Sequence, residues 1–387
     1  MLDNRIWQVL IVVIAVSSAG ILLFGDNLKL LVLRQTTSGC NARLQDGVNG
    51  IEQNDTIDPD MQANAQHNVE LAVAAQNAKK GLILVQHIKS GEVRAIAAAN
   101  GTRGGCFYGK AEAFNQWEPG SVIKPLTMAI AINEGRLHPD DEFYNAGSRI
   151  FGDTIILNAI NIAPGMYSYK DMISQSINTG SVAALESLSD NNAIDQQSKQ
   201  TWYQYMTSVF GFSEYTGAAT IEDKGYIPLV DSPFSTQARY AFSSHGIGIT
   251  VTPMQLTSAY STLLNHGKYI TPKLFSKNNS YRSTLITDQT SSTMQHMLFL
   301  ATERSNTKAL HQGYVMGGKS GTGPSADVSG LYQYYRSNGV YVGYVGKDNP
   351  EYIVLAKIDE PEDDQVLASR FAADLWTLQI NDIIKEL

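Results

Sequence analysis

Apolar positions run from Ile6 to Gly25 with only Gln8 and the Ser17-Ser18 pair interrupting them, and beyond that stretch the pattern changes several times. A run of that length spans a bilayer as a helix. A cleaved signal peptide is the rival reading, with a site after Ser17-Ser18-Ala19. Because Ile21-Leu22-Leu23-Phe24 carries the apolar run past that site, an uncleaved anchor over residues 1–25 is expected. Residues 26–60, rich in Asn, Gln, Gly and Asp, read as a juxtamembrane linker. Met61 to Ala78 has helical spacing. Two apolar runs follow, Gly81 to Ile88 and Val93 to Ala99, joined at Lys89-Ser90-Gly91 as a hairpin. Helical patterns dominate from Ser121 to about Phe210. Strands return at Tyr314 to Met316, Val340 to Val345 and Tyr352 to Ile358, with a turn at Lys347-Asp348-Asn349-Pro350 between the last two. Asp364 to Leu387 reads as a closing amphipathic helix with Phe371, Leu375 and Leu378 on one face. Strands at both ends of a helical insert predict an α+β fold over residues 61–387, an antiparallel sheet flanked by helices with an all-α subdomain.

Charge narrows the function classes. The chain has 29 Lys plus Arg against 37 Asp plus Glu, a formal charge of −8, and no basic run, so nucleic-acid binding is not expected. Cys40 and Cys106 are too few for a disulfide framework, although an oxidising compartment would let them pair. The seven histidines are scattered without metal-ligand spacing, and no metal or cofactor is expected.

The candidate chemistry lies in three short motifs in fixed order: Ser121-Val122-Ile123-Lys124, Ser176-Ile177-Asn178 and Lys319-Ser320-Gly321-Thr322. Each alone is weak, and the chain contains competitors for all three in Ser305-Asn306-Thr307-Lys308, Ser189-Asp190-Asn191 and Lys89-Ser90-Gly91. Local structure separates them. Ser121 follows Glu118-Pro119-Gly120 and opens an apolar run that closes at Gly135, so it reads as the first turn of a buried helix. Ser121 and Lys124, three apart, then share a face, where an uncharged lysine takes the serine proton. The Ser305 motif reads as surface loop, Lys89-Ser90-Gly91 as a turn, and Ser189 lies beyond the end of its helix. Lys319 sits among Gly317, Gly318 and Gly321, in a strand whose small residues allow a substrate backbone to approach closely.

These segments resemble the penicillin-binding proteins, specifically the monofunctional class B D,D-transpeptidases of bacterial cell-wall synthesis. Glu118 to Pro125 is similar to the family's nucleophile segment, and Gly246-Ile247-Gly248-Ile249-Thr250-Val251-Thr252-Pro253-Met254-Gln255-Leu256 to the stretch before a long core helix. Tyr341 to Val345 and Ile358-Asp359-Glu360-Pro361 resemble its last two strands. The resemblance implies Ser121 as acylated nucleophile, Lys124 as general base, Ser176 as proton relay and Asn178 as ligand of the substrate amide. Lys319 would hold Ser176 and add positive potential. Ser320 and Thr322 would receive a terminal carboxylate, with the N–H groups of Ser121 and Thr322 as oxyanion hole and Gly321 giving close approach.

The implied activity is cross-linking of peptidoglycan stem peptides ending in D-Ala-D-Ala, with acylation by β-lactams. The implied setting is a single-pass membrane protein with its catalytic domain outside the cytoplasm, and a SEDS-family glycosyltransferase is the implied partner. Two departures bear on this. Residues 26–60 are shorter than the pedestal usual in class B enzymes, and Ser243-Ser244-His245-Gly246 stands where the family tends to carry Phe-Gly-x-Gly. His245 is expected to be a satisfied structural histidine. A D,D-carboxypeptidase, a β-lactamase and a non-enzymatic scaffold or β-lactam sensor remain alternatives, although no glutamate has the β-lactamase spacing and Glu214 sits in a penicillin-binding-protein-like context.

Overall fold

The computed structural model describes residues 56–103, 107–275, 281–326, 332–363 and 365–387. The expected anchor, most of the linker, Cys40 and Cys106 lie outside the described residues. Helix α1 (Pro59–Ala75) is capped by Asp58, whose carboxylate accepts from the Asp60 and Met61 N–H groups, with Pro59 at its first position. Strands β1 (Lys80–His87) and β2 (Val93–Asn100) follow as the expected hairpin. A 3-10 turn at Gly120–Ile123 leads into α2 (Lys124–Asn133). Next come the short strands β3 (Glu142–Asn145), β4 (Ser148–Phe151), β5 (Thr154–Leu157) and β6 (Gly165–Ser168), then α3 (Tyr169–Gln175), α4 (Asn178–Glu186), α5 (Gln196–Gln204) and α6 (Gln237–Ser243). Helix α7 (Pro253–Leu264), the pair β7 (Lys268–Ile270) and β8 (Tyr281–Ser283), and α8 (Asp288–Ser305) precede the last strands. These are β9 (Val315–Ala326), β10 (Tyr332–Gly346) and β11 (Tyr352–Asp359), and α9 (Ala368–Glu386) closes the chain.

The main sheet has five antiparallel strands in the order β2-β1-β11-β10-β9, so the first strand lies beside the last and β9 is an edge. Side chains alternate between faces along each strand, and both faces are covered, which is why residues 81–85 of β1 and 352–356 of β11 are apolar at successive positions. Ile83, Val85, Val354 and Ala356 pack against α1 and α9. Leu82, Leu84, Val342 and Leu355 join a larger core with α2, α4 and α7.

Three expectations need correction. The stretch from Ser121 to Phe210 is not purely helical, since β3 pairs with β6 and β4 with β5. Asn145-Ala146-Gly147 and Gly152-Asp153 are the turn signals, and Gly147 and Gly152 both adopt positive φ. On α9 the buried residues include Ala372, Leu375, Trp376, Gln379, Ile380 and Ile383, whereas Leu378 is 44% exposed. The face assigned from Phe371, Leu375 and Leu378 was rotated away from the true one. Ser305 is not in a loop but ends α8, its Oγ donating to the Ala301 carbonyl.

Candidate active site

Ser121 stands in the 3-10 turn rather than in the first turn of an α-helix. In 3-10 geometry residues three apart eclipse one another, which brings Lys124 directly over Ser121. Lys124 Nζ lies 2.9 Å from Ser121 Oγ. Gly120 makes the turn compatible with its surroundings: its φ is 63°, and a Cβ there would meet the Thr322 carbonyl oxygen at 2.4 Å. From the other side, a Cβ on Gly321 would come within 2.8 Å of the Pro119 carbonyl oxygen. The glycines of β9 therefore admit the protein's own nucleophile turn. Tyr260 of α7 fixes that turn further by donating to the Val122 carbonyl at 2.8 Å.

Ser176 ends α3 with φ 60° and ψ 43°, a left-handed conformation that costs a non-glycine residue about 1–3 kcal/mol. Helices α3 and α4 impose it, with Ile177 N–H bonded to the Met172 carbonyl and α4 starting at Asn178. The result is that both oxygens of Ser176 face one amine: Lys124 Nζ is 2.6 Å from its carbonyl and 3.0 Å from its Oγ. Lys319 Nζ reaches the same Oγ at 3.0 Å and donates to the Ser320 carbonyl at 2.8 Å. Ser121, Lys124, Ser176 and Lys319, from three distant segments, thus form one continuous polar chain. Ser320 and Thr322 are half-buried at alternate positions of β9 beside it, flanking Gly321.

Asn178 is buried at 4% exposure and donates to the Leu157 carbonyl at 2.7 Å. That contact ties β5 to the site, and Asn158 and Asn145 extend it by accepting from Thr179 N–H and Thr179 Oγ at 3.1 and 2.9 Å. The role of this short ribbon was missed in the sequence because the strands carrying Leu157 were read as helix.

The electrostatics follow from burial. Lys124 is completely buried, and desolvation, followed by the charge of Lys319, holds its pKa well below the usual lysine value. Burial lowers Lys319 to about 7. His245 is buried next to Phe242, and desolvation followed by the Lys124 charge lowers it to about 3. It was expected to be a satisfied structural histidine, but neither ring nitrogen makes a well-formed hydrogen bond among the described residues. Its neighbour Ser244 is better tied, its carbonyl accepting from Thr127 and Ser181 at 2.8 and 2.7 Å. Gly246 accepts from the Gly120 N–H at 3.0 Å, so this whole segment backs the nucleophile turn.

The competing motifs come nowhere near this arrangement. Lys308 pairs with Asp374, Ser189 donates to Asp195, and Ser90 bonds His87 within the β1–β2 turn. Among the described residues no cluster of three or more His, Cys, Asp or Glu is arranged to hold a metal ion.

The same chain matches the family described as the penicillin binding protein transpeptidase domain over residues 81–376. A peptidoglycan D,D-transpeptidase FtsI homolog from Mesostigma viride is 26% identical over 351 residues, covering 79% of this chain and 56% of its own length. The chain spans about half the length of the curated relatives it matches. In fold it is similar to the TP domain of Burkholderia pseudomallei penicillin-binding protein 3, with TM-score 0.74 and 20% identity, covering 87% of this chain and 96% of that one. Penicillin binding protein 3 from Mycobacterium tuberculosis, complexed with aztreonam, gives TM-score 0.71 and 22% identity, covering 85% and 78%. A match that takes in the nucleophile turn, the Ser176 turn and β9 together, over most of the chain, means that the protein belongs to the penicillin binding protein transpeptidase domain family.

Proposed function

We propose that this protein is a peptidoglycan D,D-transpeptidase that works through a serine acyl-enzyme at Ser121 and is acylated by β-lactams. One observation carries the reading: a buried lysine, its pKa lowered by desolvation and by the charge of Lys319, contacts both the Ser121 hydroxyl, at 2.9 Å, and the Ser176 hydroxyl, at 3.0 Å. A serine hydroxyl is inert near neutral pH without such a base.

The neutral Lys124 amine takes the Ser121 proton as Oγ attacks the carbonyl of the penultimate D-Ala. The oxyanion that forms is held by backbone N–H groups of Ser121 and Thr322. Lys124, now charged, returns its proton through Ser176 Oγ to the departing D-Ala amine, and the C–N bond breaks. Lys319 holds Ser176 in line for that transfer and adds positive potential where Ser320 and Thr322 receive the substrate carboxylate. Asn178 orients the acyl side. An amine from a neighbouring stem then attacks the ester, giving the cross-link and restoring Ser121. A β-lactam enters the same path, but its leaving nitrogen stays tethered. The names of the FtsI relative and of the aztreonam complex support this reading. A single-pass membrane anchor, an extracytoplasmic catalytic domain and a SEDS-family glycosyltransferase partner belong to the same proposal.

The test supplies a stem pentapeptide ending in D-Ala-D-Ala, with and without a second stem as amine acceptor, and follows products by mass. The proposal expects D-Ala release and cross-linked dimer. Release with the acceptor ignored would make the protein a carboxypeptidase, and no release at all would contradict acyl transfer.

A further inference from the structure

Helix α4 lacks a cap of its own. Its N-cap residue is Ile177, which has no side-chain oxygen to offer the free N–H groups of the first turn, and Asn178 is the first residue of the helix. The acceptor comes instead from 21 residues earlier in the chain: Asn158 Oδ1, just after β5, accepts from Thr179 N–H at 3.1 Å. Next to it in sequence, the Leu157 carbonyl accepts from Asn178 Nδ2 at 2.7 Å, which sets the plane of the Asn178 carboxamide. Two consecutive residues of the ribbon thus hold the backbone start of α4 and the side chain that opens it. That start follows directly on the turn of Ser176, whose Oγ is 3.0 Å from the Lys124 amine.

Asn145, the last residue of β3, holds both contacts in place. Its side chain is fully buried, and Oδ1 accepts from Thr179 Oγ, Asn158 Nδ2 and Gly147 N–H at 2.9, 2.9 and 3.0 Å. A carbonyl oxygen has two lone pairs, so three donors use it fully. Nδ2 donates to the Ala163 carbonyl at 3.2 Å. Flipping the carboxamide would set an NH2 group against three other donors, so the network fixes its orientation and, through it, that of Asn158. What this place requires is an acceptor, not merely a side chain of that size: without it Thr179, Asn158 and Gly147 each lose a partner. None of these bonds involves Ser121, Lys124, Ser176 or Lys319, so the effect of the network falls on Asn178 and the start of α4.

We propose that Asn145 is a positioning residue for recognition of the acyl side of the substrate: by orienting Asn158 and Thr179 it holds Asn178 where the substrate amide is bound. This role rests on the acyl transfer proposed above for Ser121. Benzylpenicillin and 6-aminopenicillanic acid share the β-lactam ring and the carboxylate, and only benzylpenicillin carries an acylated side-chain amide. A residue that acts through Asn178 therefore separates the two compounds, whereas one that acts through Ser121, Ser176 or the fold as a whole slows both alike.

The test measures acylation rates of the full chain with both compounds for the wild type, Asn145→Ala, Asn145→Asp and Asn158→Ala, with urea midpoints alongside. Asn145→Ala is expected to lower the ratio of the benzylpenicillin rate to the 6-aminopenicillanic acid rate about tenfold or more, the size of loss that a misplaced binding group produces. Asn145→Asp keeps an oxygen for all three donors and is expected to restore most of the ratio. Asn158→Ala, at a half-buried position, removes the cap from Thr179 N–H and is expected to lower the ratio even should Asn145→Ala fail to fold. A ratio unchanged in the alanine variants, an equal slowing of the two compounds, or an Asn145→Asp protein as impaired as Asn145→Ala would overturn the proposal. Wild-type protein acylated by neither compound would instead remove the function proposed for Ser121, and this role with it.

Discussion

A fully buried lysine holds its proton only against the loss of hydration, and Lys124 has a second amine sharing the Ser176 hydroxyl with it. Each amine lies 3.0 Å from that hydroxyl, so the two are close enough to repel strongly if both are charged, and both effects favour the neutral base. Acylation should therefore fall as acid protonates Lys124. Lys319→Gln keeps a donor near Ser176 and removes the charge, so the Lys124 pKa rises and the acid limb of a benzylpenicillin acylation profile moves to higher pH. A limb that stays in place or moves down would mean that Lys319 exerts no charge effect on the base. His245 gives a separate reading, on stability. Its folded-state pKa is depressed to about 3, so the unfolded chain binds more protons between pH 6.5 and 3, and stability falls as pH drops through that window. The loss is about 2 kcal/mol between pH 6.5 and 5. His245→Phe should remove that loss, narrowing the gap between urea midpoints at pH 7 and 5. The spacing of Ser121 and Lys124 was legible because three residues close a single turn. The meeting of Lys124 with Ser176 and Lys319 was reached only through family resemblance, since no local pattern encodes it.

Longer segments were legible where burial imposes a simple period and not where it does not. The β1–β2 hairpin and β11 stood out because both faces of the sheet are covered, leaving runs of mostly apolar residues. The β3–β6 ribbon escaped because its strands are four residues long and half-exposed, too short to establish a period. On α9 the misplaced face arose from weighting Phe371 and Leu378 over the small and polar residues Ala372 and Gln379 that pack inward. A pair of substitutions separates the two readings. Trp376 is fully buried, packs its ring at a tilt against Tyr341 with centroids 4.7 Å apart, and donates to the Val354 carbonyl at 3.0 Å. Trp376→Ala should cost about 3–5 kcal/mol in urea unfolding. Leu378→Ala should cost about 0.5 kcal/mol or less. Equal losses would return α9 to the rotated face.

Across the molecule, sheet order is what assembles the site. Pairing β1 with β11 brings the two ends of the domain together, and β10 then places β9 at the edge, where Lys319 and Gly321 lie along the nucleophile turn. The α+β class followed from strands at both ends of the chain, but the order did not, because it depends on contacts between residues far apart in sequence. The helical region on the other side supplies Ser176 from a strained turn. The central claim is that these parts make Ser121 the acylated residue. Intact mass of the full chain with benzylpenicillin, followed over time beside Ser121→Ala, tests it most directly. The account predicts a long-lived one-to-one adduct on the wild type, mapping to the peptide that contains Ser121, and none on the variant. An adduct that persists in Ser121→Ala, or a wild type that takes none, would contradict it.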